Sequence, residues 1–488
     1  MERRTFLKIL SSAGIVSLVS PAFAMEVCKN KVSKSSSTLL ESAFRNPPFS
    51  SGVYTWWHWM NGNITKEGIT RDLEAMKANG IAGYQLFEAG SGIPIGPVES
   101  LSDEWVDLML HTLKESERLG LEFAMHNCPG WSSSGGPWIT PDKAMQIITW
   151  NETKVTGGKQ IRMQLPTPKH MFDYYIDTYC LAIPANMEII PKSSVLELSD
   201  QLDKEGVLTW DAPAGEWLIM RFGQTAKDQK NKSAPSKSTG LDCDKFSTEA
   251  LDYHLDCMFK RLMPTMEKIA RHSKIGLLID SYETGDQDWT SDMPACFEQK
   301  HGYALYPFLP ALANKVVESE ESTRRFRFDF RRTRADMFAE RYYAHFQKRC
   351  KEKGIITYTE PYGGNMMEEL QVAQQLDINM GEFWCGQTVL WANYKYNRTV
   401  KQVASIAHTL GGKVVGAEAF TSEPDADKWL QYPYALKSLG DYMFTRGLSR
   451  IYFHRFAHQP HPTAAPGMTM GAWGLHFDRT NTWWKPSS

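Results

Sequence analysis

The stretch LLIDSYETGDQDW, residues 277–289, runs from an apolar segment straight into Asp280, Glu283, Asp286 and Asp288. A strand covered on both faces, as in a parallel sheet, has no packing reason to end in carboxylates. An enzyme barrel does, because its working side chains project from the C-terminal ends of its strands. The surrounding sequence is therefore read for the rest of a barrel.

Upstream, the β-rich GVYTWWHW (52–59) precedes a helical pattern over 66–79, with Leu73 and Met76 on one face and Gly80 as its stop. IAGYQLFEA (81–89) follows, then a helix over 102–120 with Ser102 as N-cap and Gly120 beyond its end, then LEFAMHN (121–127). The alternation of period two with period 3.6 marks βα units on a parallel sheet. It breaks over 144–239, where short β-like runs (QIITWNETKV, TYCLAIP, EWLIMRFGQT) and the polar linker KDQKNKSAPSKSTG predict a β-rich insertion after the third strand. The rhythm then resumes, giving eight expected strands at 53–58, 81–88, 121–126, 275–281, 355–360, 377–382, 413–419 and 449–454. The expected fold class is α/β, a (β/α)8 TIM-like barrel over 51–488 that carries the insertion. No obvious helix follows the eighth strand, which reads as a chain cut short of its last barrel helix.

A formal charge of −2, from 54 basic and 56 acidic residues, argues against nucleic acid as a partner. Residues 1–24 have the form of an export signal: Arg3 and Arg4, an apolar run, then small residues ending at Ala24. Cleavage after Ala24, a leader over 25–50 and a periplasmic or secreted location are expected. No later stretch reaches the ~18 apolar residues of a membrane span. Eight cysteines without a CxxC pair exclude a zinc ribbon and are read as buried free thiols. With 16 Trp, 19 Tyr and 23 Phe, pairs such as Trp56–Trp57 and Trp483–Trp484 suit stacking on sugar rings.

The polar residues at the expected strand ends are His58, Glu88, His126 with Asn127, Asp280 with Glu283, Glu360, Glu382, Glu418 and His454. Paired carboxylates are what glycoside hydrolysis needs: one protonates the leaving oxygen, the other activates water or attacks carbon. Glu283 and Glu418 are the expected catalytic pair, on strands nearly opposite each other. Glu360 and Glu382 read as acceptors for sugar hydroxyls or as metal ligands, and either could replace a member of the pair. Glu88 is as readily structural as functional. His58, His126 and His454 lack HxxxH or HEXXH spacing, so substrate hydrogen bonding is expected of them, with Asn127 beside them. HNCPGWSSSGGPW (126–138) lacks the ending of a phosphate loop and is expected to hold Trp131 and Trp138 over a sugar face. Asp286 and Asp288 read as solvated loop charges, and no metal ligand is assigned.

WWHWMNGNIT (56–65), HNCPGWSSSGGPWI (126–139), DSYETG (280–285), GAEAFTS (416–422) and PGMTMGAWGLHFDRTNTWW (466–484) together resemble bacterial α-L-rhamnosidases of glycoside hydrolase family 106. The similarity runs from about residue 40 to the end of the chain. The resemblance implies a (β/α)8 domain that removes terminal α-L-rhamnose from plant oligo- or polysaccharides, such as pectic side chains, with inversion. It also implies calcium in the site contacting sugar hydroxyls, Glu283 as general acid and Glu418 as general base. Family members continue into a last barrel helix and accessory β-domains, which this chain is expected to lack. Inversion requires carboxyl groups ~6.5–9.5 Å apart. A retaining glycosidase of another specificity, or a truncated carbohydrate-binding pseudoenzyme, are the alternatives.

Overall fold

The computed structural model describes residues 34–131, 134–269, 275–385, 389–412, 414–423, 427–471 and 473–484. The chain divides into two compact units, 1–52 and 53–488. The first carries a helix, Lys34–Arg45, with an exposed Arg45–Glu41 pair at 2.9 Å, and a 3-10 turn, Phe49–Ser51. The expected leader thus includes a helix; the expected export signal lies outside the described residues.

In the second unit eight parallel strands close on themselves in chain order: β1 (Val53–Met60), β2 (Ile81–Ala89), β3 (Glu122–His126), β4 (Ile275–Ile279), β5 (Ile356–Thr359), β6 (Ile378–Cys385), β7 (Val415–Ser422) and β8 (Arg450–Ala457). The sequence reading of a (β/α)8 barrel is the observed fold. Among the helices that follow the first seven strands are α1 (Lys66–Ala78), α2 (Asp103–Leu119), α3 (Thr248–Ile269), α4 (Glu320–Met337), α5 (Glu369–Ala373), α6 (Val389–Leu410) and α7 (Pro433–Thr445). Ser102 caps α2 by accepting from Trp105 N at 3.2 Å, and Gly120 ends it in the left-handed conformation. Helix α4 runs on through a π turn, Phe338–Ala344, in which the consecutive Tyr342 and Tyr343 are both buried. No described helix is long and apolar enough to cross a membrane. The seven described cysteines are free.

The expected insertion is a small β-module between β3 and α3. An antiparallel sheet ordered Gln146–Thr156, Glu216–Ala226, Ile176–Pro184, Leu196–Glu197 shares one core with the pair Lys159–Gln164 and Val207–Ala212. The linker leaving it returns to the barrel mouth, where Asn231 Nδ2 donates to Pro129 O at 2.9 Å and Trp131 N to Lys232 O at 3.3 Å. The approach requires Gly130, at φ +93°, since a Cβ there would stand 2.4 Å from Lys232 O.

Two buried carboxyls strap the outer layer to the ring. Glu88 on β2 accepts from Ser100 Oγ at 2.5 Å and Trp105 Nε1 at 3.0 Å, so it anchors α2. Asp72 on α1 is fully buried beside the seam where β1 meets β8. Its Oδ2 accepts from Trp57 Nε1 (3.2 Å), His458 Nδ1 (2.8 Å) and Gln459 N (2.9 Å), and its Oδ1 from Arg479 Nε (2.9 Å). One side chain therefore ties α1 and β1 to the segment after β8.

Replacing Asp72 with Ala leaves Arg479 facing an empty acceptor site, and the expected loss is about 3–5 kcal/mol, read as a large fall in the thermal midpoint. Burial raises the Glu88 carboxyl from 4.5 to about 7. Folding therefore binds a proton there, and that stability, present below 4.5, is lost as pH rises through 7. Glu88→Gln should match the parent at pH 4.5 and exceed it above pH 7, by up to ~3 kcal/mol; thermal midpoints of both proteins across that range check the sign.

Candidate active site

A cavity of about 580 Å³ opens at the C-terminal rim of the barrel. Strand β1 contributes Trp56 and His58, two apart and so on one face, while Trp57 between them turns outward to Asp72. Strand β6 contributes Glu382 and Trp384 by the same alternation. Strand β7 supplies Glu418 and Thr421, and β8 supplies His454. Asp280 stands directly after β4, and Glu283 lies three residues further along the loop. Trp131, Lys232, Met470 and Trp473 complete the wall from the loop after β3, the insertion linker and the segment after β8.

Register explains why the acids converge. Glu382 and Glu418 are direct neighbours on β6 and β7. Glu360 follows β5 and is fully buried, its Oε2 accepting from Tyr362 OH. Ligand oxygens of Glu360, Glu382 and Glu418 all lie within 4.8 Å of one another. Asp280 Oδ1 and Glu360 Oε1 are buried and meet no donor among the described residues. Burial first, and neighbouring carboxylates second, hold Asp280, Glu360 and Glu418 well above the ordinary carboxyl range. Thr421 Oγ1 donates to Glu418 Oε1, and His454 Nδ1 lies 3.9 Å from that oxygen. Trp384 Nε1 donates to Glu382 Oε1.

Glu283, whose charge reaches Asp280 and Glu418, is the exposed acid of the set. Its side chain is 36% exposed, and its Oε2 accepts from Lys232 Nζ at 2.7 Å and Trp131 Nε1 at 3.3 Å. The His58 and His454 rings meet edge to face at 5.9 Å. Burial pushes both imidazoles well below their usual range, helped by Arg455 and, at His58, by His454, so both are neutral. Their Nδ1 atoms are buried without a partner, which suits them to hydroxyl groups of a ligand.

Of the residues expected from sequence, Glu283, Glu418, Glu382, His58, His454 and Trp131 face one cavity. His126, Asn127 and Glu360 do not line it. His126 stacks on Phe87 at 5.5 Å and turns Nδ1 to Cys128 O, while Asn127 donates to Leu278 O at 2.8 Å and accepts from Ser134. Those two brace the ends of β3 and β4 instead. Glu360 lies beneath the cavity floor. Trp138 pairs with His254 at 3.2 Å, away from the site, and Trp484 packs on Phe456. Asp288 is no solvated charge: it is partly buried and accepts from Ile148 N at 2.9 Å. Asp280 and Trp56, which the sequence marks as a strand-end acid and a stacking ring, also line the cavity, together with Trp384, Lys232, Met470 and Trp473, which it does not single out. Strand alternation from His58 and Glu382 points to Trp56 and Trp384, but nothing in the sequence points to Lys232.

The sequence profile of glycoside hydrolase family 106, described as alpha-L-rhamnosidase, matches residues 45–180 and 168–487. A Formosa agariphila protein named "Putative beta-glucuronidase" is 41% identical over 479 residues, covering 92% of this chain; the chain spans 40% of that protein's length. The solved structure of a rhamnosidase from Novosphingobium sp. PP1Y superposes with a TM-score of 0.82 at 25% identity, covering 92% of this chain and 59% of that one. With a profile match over most of its length and a barrel that superposes on a rhamnosidase, this chain belongs to glycoside hydrolase family 106.

Proposed function

We propose that the chain hydrolyses terminal α-L-rhamnose from plant-type glycans with inversion, Glu283 acting as general acid and Glu418 as general base. The observation that carries this reading is that both carboxyl groups open onto one aromatic-walled cavity from different depths. Glu283 lies on the exposed loop, its side chain open to solvent. In this reading its carboxyl protonates the departing glycosidic oxygen. Glu418 lies on β7, deeper and nearly enclosed, where it would orient a water against the opposite face of the sugar. The indoles of Trp56, Trp131, Trp384 and Trp473, with Met470, offer apolar surface to a 6-deoxy sugar's ring face and methyl group. Neutral His58 and His454 are available to its hydroxyls.

The residues present also fit a hard divalent cation. Glu360, Glu382 and Glu418 offer oxygen donors on one small locus, and Glu360 Oε1 accepts from no N–H or hydroxyl group among the described residues. A calcium ion held by them would supply the positive charge that keeps these carboxylates ionised, together with positions open to sugar hydroxyls.

A second reading has a specific support. Lys232 gives the cavity a cation, which a uronic acid would also use, and the Formosa agariphila relative carries the name of a glucuronidase. Release of nitrophenol from the aryl α-L-rhamnoside but not from the aryl β-D-glucuronide favours the first; the reverse outcome replaces it.

Glu283→Gln and Glu418→Gln should each lower kcat by about 10²–10⁴-fold without unfolding the protein. Because an aryl leaving group needs little protonation, Glu283→Gln should cost much less on aryl rhamnosides than on unactivated disaccharides, whereas Glu418→Gln should cost the same on both. Proton NMR should show β-L-rhamnose formed first; α-L-rhamnose first means retention and overturns the mechanism. Chelation should abolish turnover and raise sensitivity to heat, with calcium restoring both. Unchanged turnover and thermal midpoint in chelator would remove the cation from the proposal.

A further inference from the structure

A second cleft, of about 860 Å³, lies between the insertion's sheet and helix α4 and shares no lining residue with the barrel-mouth cavity. Ile148 and the half-buried Trp150 form one wall, and Trp150 is backed by Phe222 at 5.9 Å. The other wall is a row of guanidinium groups, Arg324, Arg327, Arg331 and Arg334. Spacings of three, four and three place all four on one helix face, where like charges weaken a helix.

The charges are unevenly answered. Arg324 makes a bidentate pair with Glu321, Nε to Oε2 at 2.9 Å and Nη2 to Oε1 at 2.9 Å. Arg334 donates to Gln287 O at 3.0 Å and lies 3.9 Å from Asp286. Arg327 finds only a neutral acceptor, Ala311 O at 3.0 Å, and Arg331 stands over the Phe328 ring at 6.0 Å. No carboxylate pairs with Arg327 or Arg331 among the described residues. The acids at the cleft are Glu321, already engaged, Asp288, held by Ile148 N, and Glu320 in the first turn of α4, where the helix dipole favours it. Two planar donors facing an indole across the cleft match a sugar that carries a carboxylate or sulfate: the fork takes the anion and the ring takes the sugar face.

The loop after β4 joins this cleft to the active site. Glu283 and Asp288 are five residues apart, at most about 18 Å of extended chain, and Arg334 grips the loop at Gln287 O. We propose that the cleft is a second saccharide site, which holds an acidic stretch of the same polysaccharide whose terminal sugar enters the barrel. The inference rests on the reading of the chain as a polysaccharide hydrolase.

Affinity electrophoresis of the full chain in polygalacturonate, dextran sulfate or neutral dextran tests it. Retardation is expected in one or both acidic polymers, and which one names the anion; none is expected in neutral dextran. Arg327→Gln with Arg331→Gln should weaken that retention about tenfold or more, while aryl-glycoside turnover and the thermal midpoint stay at or above the parent's. Arg331→Gln alone should show the same trend if the double variant is poorly folded. Parental retention in the variants, equal retention in neutral dextran, no retention of the parent, or tighter binding to a short DNA duplex through the same arginines would overturn the proposal. Cleavage and retention fail separately: a chain that cleaves no rhamnoside yet is held by the acidic polymer through Arg327 and Arg331 loses the reaction and keeps the cleft.

Discussion

A parallel sheet that closes on itself has no free edge, and the other features of this chain answer to that closure. The ring shuts where β1 lies beside β8, with Tyr54 opposite Tyr452. Because all the strands run one way, their C-terminal ends share a rim, and residues far apart in sequence become neighbours. His58 and His454 meet only because the first and last strands pair. Asp72 secures the seam from outside, since its acceptors serve donors from both ends of the barrel.

Closure also concentrates charge. Four successive strands, β4 to β7, deliver Asp280, Glu360, Glu382 and Glu418 to the same side of the rim. Like charges so close and so poorly hydrated cannot all ionise together, and protons or a cation must be shared among them. The arrangement opposes folding rather than aiding it, as expected where chemistry rather than packing selects the residues. Glu283 is felt by Asp280 and Glu418 but differs from this group in its surroundings, on a loop that faces solvent with an ammonium beside it. Two carboxyl groups in such different surroundings are equipped for different tasks.

Much of this was legible beforehand, for local reasons. The βα rhythm is written in periodicity and capping, so the strands fall within a few residues of their expected bounds, and Ser102 and Gly120 sit where the helix signals place them. Glu382 and Glu418 were visible because an acid inside an apolar strand has no packing role. His126 and Asn127 also stand at a strand end, yet position there does not say whether a side chain points to the axis or into the next loop; here it is the loop. Glu88 ends its strand as well, but turns outward to α2. Lys232 was invisible because its partner, Glu283, is 51 residues away, beyond helix α3 and strand β4.

That last contact carries a consequence for how such an enzyme diverges. The cation beside Glu283 belongs to no element of the cylinder; it arrives on the strap by which an inserted module is tied back through Asn231 and Gly130. The seating of the module is thus geared to the mouth of the barrel. Substitutions buried in its core, around Trp210 or Ile219, have a mechanical route to the barrel-mouth cavity without altering a single residue that lines it, so the shape of that mouth can drift by tilting an appendage while the ring of strands stays as it is.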